Sequence, residues 1–193
     1  MAKENVQMLR GRRYPISLPG ARAGQRRTLD ERLFVRFPAA YRVLAARLMQ
    51  LPPGSRLRRL MLTRNSRRAL AAVNRRDFDV LFLAIDPGIE YYPAGDQRAL
   101  DMDPVSHGHD GYEEVWRKMI DAFEDFHAEP VEVLDLGDQF LATIQYEGHG
   151  SGSGVPVSIP LFQLFRVCRG LVAWQKDFSD RSEALEAAAR LKD

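Results

Sequence analysis

Gln163 and Lys176 are the two side chains that raise the chemical question in this chain. Val157, Ile159, Leu161, Gln163, Phe165 and Val167 recur with period two, so they share one face of a strand. Arg169-Gly170 is a two-residue turn signal, and Leu171 to Phe178 returns as a second strand. If Cys168 pairs with Leu171, Phe165 lies opposite Trp174 and Gln163 opposite Lys176, one polar pair on an otherwise apolar face. Such a pair is either a satisfied core hydrogen bond or the floor of a pocket. An amide donates and accepts hydrogen bonds but is no base near neutral pH, so Gln163 would orient a ligand carbonyl. A lysine desolvated in an apolar pocket loses up to about 3–5 pKa units and becomes a base or an amine nucleophile. At a strand end it instead reaches water or an acid.

Tyr91 and Tyr92 are adjacent, so one faces inward and one outward. Lys176, Tyr92 and Gln163 are the catalytic candidates, and Tyr92, Trp116, Gln163, Phe165, Trp174 and Lys176 the expected pocket lining. His107, His109 and Asp110 offer a His-x-His spacing, yet nothing compels Asp110, His127 or His149 to converge as further ligands. The reading is therefore no metal and no cofactor. Cys168 has no obvious base beside it, and a thiol of ordinary pKa, about 8.5, is no nucleophile by default.

The elements that must position these residues follow from pattern. Met1 to Thr28 carries Gly, Pro and Arg with little apolar periodicity and reads as extended or mobile, with a short helix open to Glu4–Leu9. Leu33, Phe37, Leu44 and Leu48, with Phe34 and Tyr41, form a stripe on an amphipathic basic helix over about 29–50. Pro38 either kinks it or divides it in two. Ser55 opens the next helix, to about Arg75, and Asp77 one over Phe78–Ile85. A short strand follows at Ile89–Tyr92, then a loop at Ala94–Ser106 and a helix over about Gly111–Phe126. Strands at Val131–Leu136 and Phe140–Tyr146 flank a Gly137-Asp138 turn, and Gly148–Gly154 connects to the central hairpin. Asp180 or Ser179 caps a final helix. Helices on one face of a curved antiparallel sheet make an α+β cone, with a pocket between sheet and helices.

Composition narrows the class. The 193 residues suffice for a real core, and no run approaches the roughly 20 apolar residues of a membrane span. No apolar stretch follows the basic N-terminal residues as in a secretory leader, and a single cysteine excludes an intrachain disulfide, so the expectation is a cytoplasmic protein. The net charge of +2 conceals an asymmetry: residues 1–68 hold 17 Lys and Arg against 3 Asp and Glu, the rest 11 against 23. The basic segment could meet an anionic partner, or solvate helices packed on the acidic body. The expected organisation is a basic extension, 1–54, before a folded domain, 55–193.

Several segments, in order, resemble the SnoaL-like proteins of the nuclear-transport-factor-2-like superfamily, which includes ketosteroid isomerases and polyketide cyclases. They are Ala71 to Asp79, Asp86 to Pro93, Gly108 to Trp116, Phe162 to Val167, Gly170 to Val172 and Asp177 to Leu185. The resemblance covers about residues 56–191, and Glu4-Asn5-Val6 resembles many family N-termini. It implies a cone-shaped, cystatin-like α+β barrel, a homodimer, and a hydrophobic pocket with a few polar groups acting on a small organic ligand. In the isomerases it further implies a base aspartate where this chain has Tyr92, a tyrosine where it has Ala69, and a protonated aspartate where it has Gln163. All three polar positions have changed.

Two readings result. One is a SnoaL-like small-molecule-binding protein, an isomerase- or cyclase-type enzyme on a hydrophobic carbonyl compound or a binder of one, without the usual catalytic aspartates. The other is a non-catalytic dimeric module whose basic N-terminal arm binds a second subunit or an anionic surface. For the helix at 29–50, docking on its own domain or on a second copy ranks ahead of membrane contact. Nucleic acid ranks last, because the arginines lack a recognisable motif with interleaved aromatics.

Overall fold

The computed structural model describes residues 11–16, 26–95 and 101–191. The short helix expected at Glu4–Leu9 lies outside them.

Thr28 starts α1 (Leu29–Arg36) with a reciprocal cap: its Oγ1 accepts from Glu31 N, and its N–H donates to Glu31 Oε2 at 2.8 Å. Proline then divides the basic segment in two, because Pro38 has no N–H to continue α1 and occupies the first position of α2 (Pro38–Met49). α3 (Arg56–Asn74) follows the Pro-Pro-Gly turn, and Arg68 on it lies over the rings of Phe34 and Tyr41, 5.5 and 4.8 Å from their centroids. α4 (Phe78–Leu81) is one turn, shorter than the apolar pattern suggests. Strand pairing overrides it: β2 (Ile85–Tyr92) begins at Ile85, and Val172 N donates to the carbonyl of Ala84 at 2.8 Å.

β3 (Ser106–His107) leads into α5 (Gly108–Asp121), which starts and ends earlier than expected. Residues beyond Asp121 bond instead to the loop after β5: Glu124 N to the carbonyl of His149, and Ser151 N to that of Ala122, both at 2.9 Å. β4 (His127–Asp135), β5 (Gln139–His149), β6 (Pro156–Cys168) and β7 (Leu171–Phe178) form a meander, and α6 (Arg181–Arg190) closes the chain. Asp180 caps α6 by accepting from the N–H groups of Ser182 and Glu183.

The extended stretch near the N-terminus contributes a strand that sequence reasoning missed. β1 (Arg12–Pro15) pairs with β4, and of its four residues only Tyr14 is buried, too little alternation to read. The curved, unclosed sheet has the order β1-β4-β5-β6-β7-β2-β3, antiparallel except where β2 runs parallel to β7. Helices α3 and α5 cover the inner face, over the main core of Ile89, Trp116, Ile144, Tyr146 and Leu161. α6 covers part of the outer face, over Leu141, Leu164 and Phe178. Among the described residues no helix is long and apolar enough to cross a membrane.

The central hairpin corrects the expected register. Cys168 does pair with Leu171, and Arg169 and Gly170 take φ of 50° and 84°, as a two-residue turn demands. One step further, Val167 pairs with Val172 but Arg166 with Trp174, so Ala173 is an extra residue on β7. From there every partner is displaced by one: Phe165 faces Gln175, Leu164 faces Lys176 and Gln163 faces Asp177. A one-residue slip moves each side chain to the other face. The expected pairs Gln163–Lys176 and Phe165–Trp174 therefore do not form.

Candidate functional site

The inner face of β5, β6 and β7 carries Phe140, Ala142 and Ile144, then Gln163 and Phe165, then Gln175 and Asp177. Between this face and the helices lies a hollow of about 80 Å³, lined mostly by apolar side chains. By the measure in which one water needs about 10–15 Å³, it has room for several waters or a small organic group. Trp116 and Tyr112 of α5, Met61 and Leu70 of α3, and Tyr41 and Met49 of α2 supply its helical walls. Gly170 lines it from the hairpin turn. A Cβ on Gly170 would sit 2.3 Å from the backbone nitrogen of Ala46, so α2 rests directly on the turn. The basic N-terminal helices thus help to wall the hollow.

Behind Gln163 is a closed polar cluster. Asp177 is buried and accepts from Tyr91 Oη at 2.8 Å, Gln163 Nε2 at 3.0 Å and Gln175 Nε2 at 2.8 Å. Tyr112 Oη donates to Gln175 Oε1 at 2.6 Å, and Gln163 Nε2 also lies 3.4 Å from Tyr146 Oη. A carboxylate only accepts, so both amides turn their NH2 groups toward it. Burial, and then the nearby Asp177 carboxylate, push the phenols of Tyr91 and Tyr146 well above their ordinary value. Burial raises Tyr112 as well. All three stay protonated across the neutral range, with Tyr91 and Tyr112 donating and Tyr146 Oη placed to accept from Gln163.

Two further polar atoms belong to residues that line the hollow. Trp116 Nε1 and Tyr41 Oη are buried and make no hydrogen bond in this structure. The Trp116 N–H leans toward Tyr112, and Tyr41 Oη toward Arg68 and Asn65, without reaching hydrogen-bond geometry. Unsatisfied buried donors are uncommon, and in a hollow they are suited to an acceptor on a bound molecule or water.

Of the six lining residues expected from sequence, Trp116, Gln163 and Phe165 come together in the hollow. Tyr92, Trp174 and Lys176 come together elsewhere, on the outer face, because Tyr91 is the inward tyrosine and the Ala173 bulge turns β7 over. There the rings of Tyr92 and Trp174 lie 5.7 Å apart, and Lys176 Nζ sits 5.2 Å from the Phe178 ring centroid. Gln163 bonds Asp177 and not Lys176. Sequence reasoning missed Asp177, Gln175 and Tyr112. Asp177 lies beside the Phe178-Ser179-Asp180 run, but the bulge that turns it inward leaves no mark in the hydrophobic pattern.

The histidines are held apart. His109 stacks on Phe82 at 4.1 Å, with Nε2 3.2 Å from the carbonyl of Ile85. His107 precedes α5, His127 meets Glu129 and His149 meets Asp125. The His149 hydrogen bond holds the Asp125 carboxyl below its ordinary value. No group of three His, Cys, Asp or Glu that could hold a metal occurs among the described residues. Cys168 is exposed.

The fold is shared with known proteins. The SnoaL-like domain matches residues 66–174. Among solved structures, a nuclear-transport-factor-2-like protein of unknown function from Burkholderia pseudomallei is 17% identical, with 64% of this chain and 93% of that one covered at a TM-score of 0.55. A SnoaL-like polyketide cyclase from a Jannaschia species is 16% identical, with 86% and 98% covered at 0.52. TerC, co-crystallised with polyporic acid, is 17% identical, with 62% and 93% covered at 0.53. At these identities the likeness establishes the fold. No curated protein matches the chain.

Proposed function

The chain belongs to the SnoaL-like domain family, and from that premise we propose that its hollow binds a small, largely apolar compound bearing a carbonyl or similar acceptor. One observation carries the reading: Trp116 and Tyr41 line an apolar hollow, and their Nε1 and Oη are buried without a hydrogen bond of good geometry. A ligand oxygen satisfies such a donor where a hydrocarbon leaves it orphaned. Gln163 lines the same space with its NH2 committed to Asp177 and Tyr146, so its Oε1 could only accept from a ligand. That TerC was crystallised with polyporic acid supports an organic ligand in this fold.

Binding is favoured over acid–base turnover. Asp177 does not line the hollow and is already bonded by three donors, and an amide does not abstract a proton. An isomerase- or cyclase-type reaction would need the Gln163 amide to move aside so that substrate reaches Asp177. The chain has two tryptophans, so a Trp174→Phe variant reports on Trp116 alone. Its emission is titrated with polyporic acid and a set of flat polycyclic ketones. Saturable quenching by at least one compound is expected. Trp116→Phe should weaken that compound's affinity about tenfold, measured calorimetrically, as expected for one lost hydrogen bond. No quenching by any compound, or unchanged affinity in both Trp116→Phe and Tyr41→Phe, would overturn the reading.

A further inference from the structure

The three helices before the polar cluster leave a surface that the hollow does not explain. Leu29 and Leu33 lie on α1 with Phe37 at its C-cap, and Leu29 is 83% exposed. Leu44 on α2 and Leu57 and Leu60 on α3 are each about half exposed and line an open groove of about 340 Å³ between the helices. Isolated exposed leucines are ordinary, but a grouped set marks a surface that something covers.

The charge around these residues is one-sided. Arg32, Arg36, Arg42, Arg47, Arg56 and Arg59 are all exposed. From residue 26 to 68 the only acids are Asp30 and Glu31. Both are engaged: Asp30 accepts from Arg64 at 2.9 Å, and the buried Glu31 accepts from Arg75 at 3.1 Å. Apart from Arg64, neither answers an exposed arginine.

We propose that α1, α2 and α3 dock on an anionic phospholipid surface, with the exposed leucines and Phe37 at the headgroup–acyl boundary and the arginines on lipid phosphates. A second copy fits poorly, since a two-fold contact sets these arginines against their own kind with no free acid between them. Nucleic acid would answer the arginines and leave the leucines in water. An anionic bilayer answers both, the pairing by which interfacial helices bind. The inference is independent of any ligand in the hollow.

The full chain is sedimented with vesicles of phosphatidylcholine alone and with vesicles about one-third phosphatidylserine, at about 0.1 M and about 0.5 M salt. Binding to the anionic vesicles only, falling at least tenfold at the higher salt, is expected. The double variant Leu57→Asp with Leu60→Asp should bind at least tenfold more weakly while keeping its circular dichroism and melting temperature, since both positions are exposed. Val155→Asp, at another exposed apolar position, should bind as the parent does. Equal binding to neutral and anionic vesicles, or a double variant that binds unchanged, overturns the proposal. So does a folded chain that ignores vesicles but sediments as a dimer which the double variant dissociates; the face would then belong to a second copy.

Discussion

Arg58 and Asp135 meet in a two-point ion pair, Nε to Oδ2 and Nη2 to Oδ1 both at 2.8 Å, with both side chains shut away from water. The remaining guanidinium hydrogens go to the carbonyls of Met49, Leu51 and Gly137, so one side chain ties the end of α2 and the β4–β5 turn to α3. Arg58→Met strands a buried carboxylate and should destabilise the chain by about 3–5 kcal/mol in urea unfolding. The exposed neighbour Arg59→Met should stay within about 0.5 kcal/mol. Equal effects from the two would mean the pair contributes nothing special.

Tyr91 and Tyr92 separate by the face they occupy. Tyr91→Phe removes a donor to the buried Asp177, and a hydrogen bond to a charged group contributes about 1.5–3 kcal/mol. Tyr92 Oη lies 3.3 Å from Glu90 on the half-buried outer face, so Tyr92→Phe should change stability by under about 1 kcal/mol. Thermal melting of the two variants side by side decides it. The reverse order would place the tyrosines the other way round.

Alkaline pH should unfold the chain through its buried phenols. Tyr91, Tyr112 and Tyr146 have folded-state values above the ordinary 10.0. Above pH 10 the unfolded chain loses these protons while the folded chain keeps them, so their contribution, complete below pH 10, declines as pH rises further. Absorbance of ionised tyrosine near 295 nm should show a delayed phase that coincides with loss of circular dichroism. Complete titration of all the tyrosines near pH 10 with the fold intact would contradict the buried network.

Gly170 and Gly137 both hold positive φ, at 84° and 101°, but only Gly170 has a neighbour in the way. Gly137→Ala meets no atom within 4 Å and should lose only the backbone term, about 1–2 kcal/mol. Gly170→Ala adds a collision with the backbone of α2 and should lose clearly more, with faster proteolysis between residues 26 and 55. Matching losses and matching digestion would show that α2 does not bear on the turn.

The sequence carried the order of elements well because long, regular patterns specify helices and strands. The turn at Arg169-Gly170 and the cap at Asp180 appear where their residue types require, whereas the stripe at Leu33, Phe37 and Leu44 is divided at Pro38 and left exposed. The site was legible only up to the Ala173 bulge. Period-two reasoning assigns faces on the assumption that no residue is inserted, and a single extra alanine exchanged Lys176 for Asp177 in the inner face. Tyr91 and Tyr92 stayed ambiguous for a related reason: adjacent like residues give no phase. β1 escaped notice because Arg12 and Arg13 sit on a sheet edge, where charge is expected and alternation weak.

α2 lies wholly before the segment that matches the SnoaL-like domain, yet Tyr41 and Met49 on it help to enclose the hollow. α2 is thus a wall of that space supplied from ahead of the matched domain. A compound held there would be bounded by α2 through Tyr41 and Met49, and α2 is itself seated by Arg58 and the contact at Gly170.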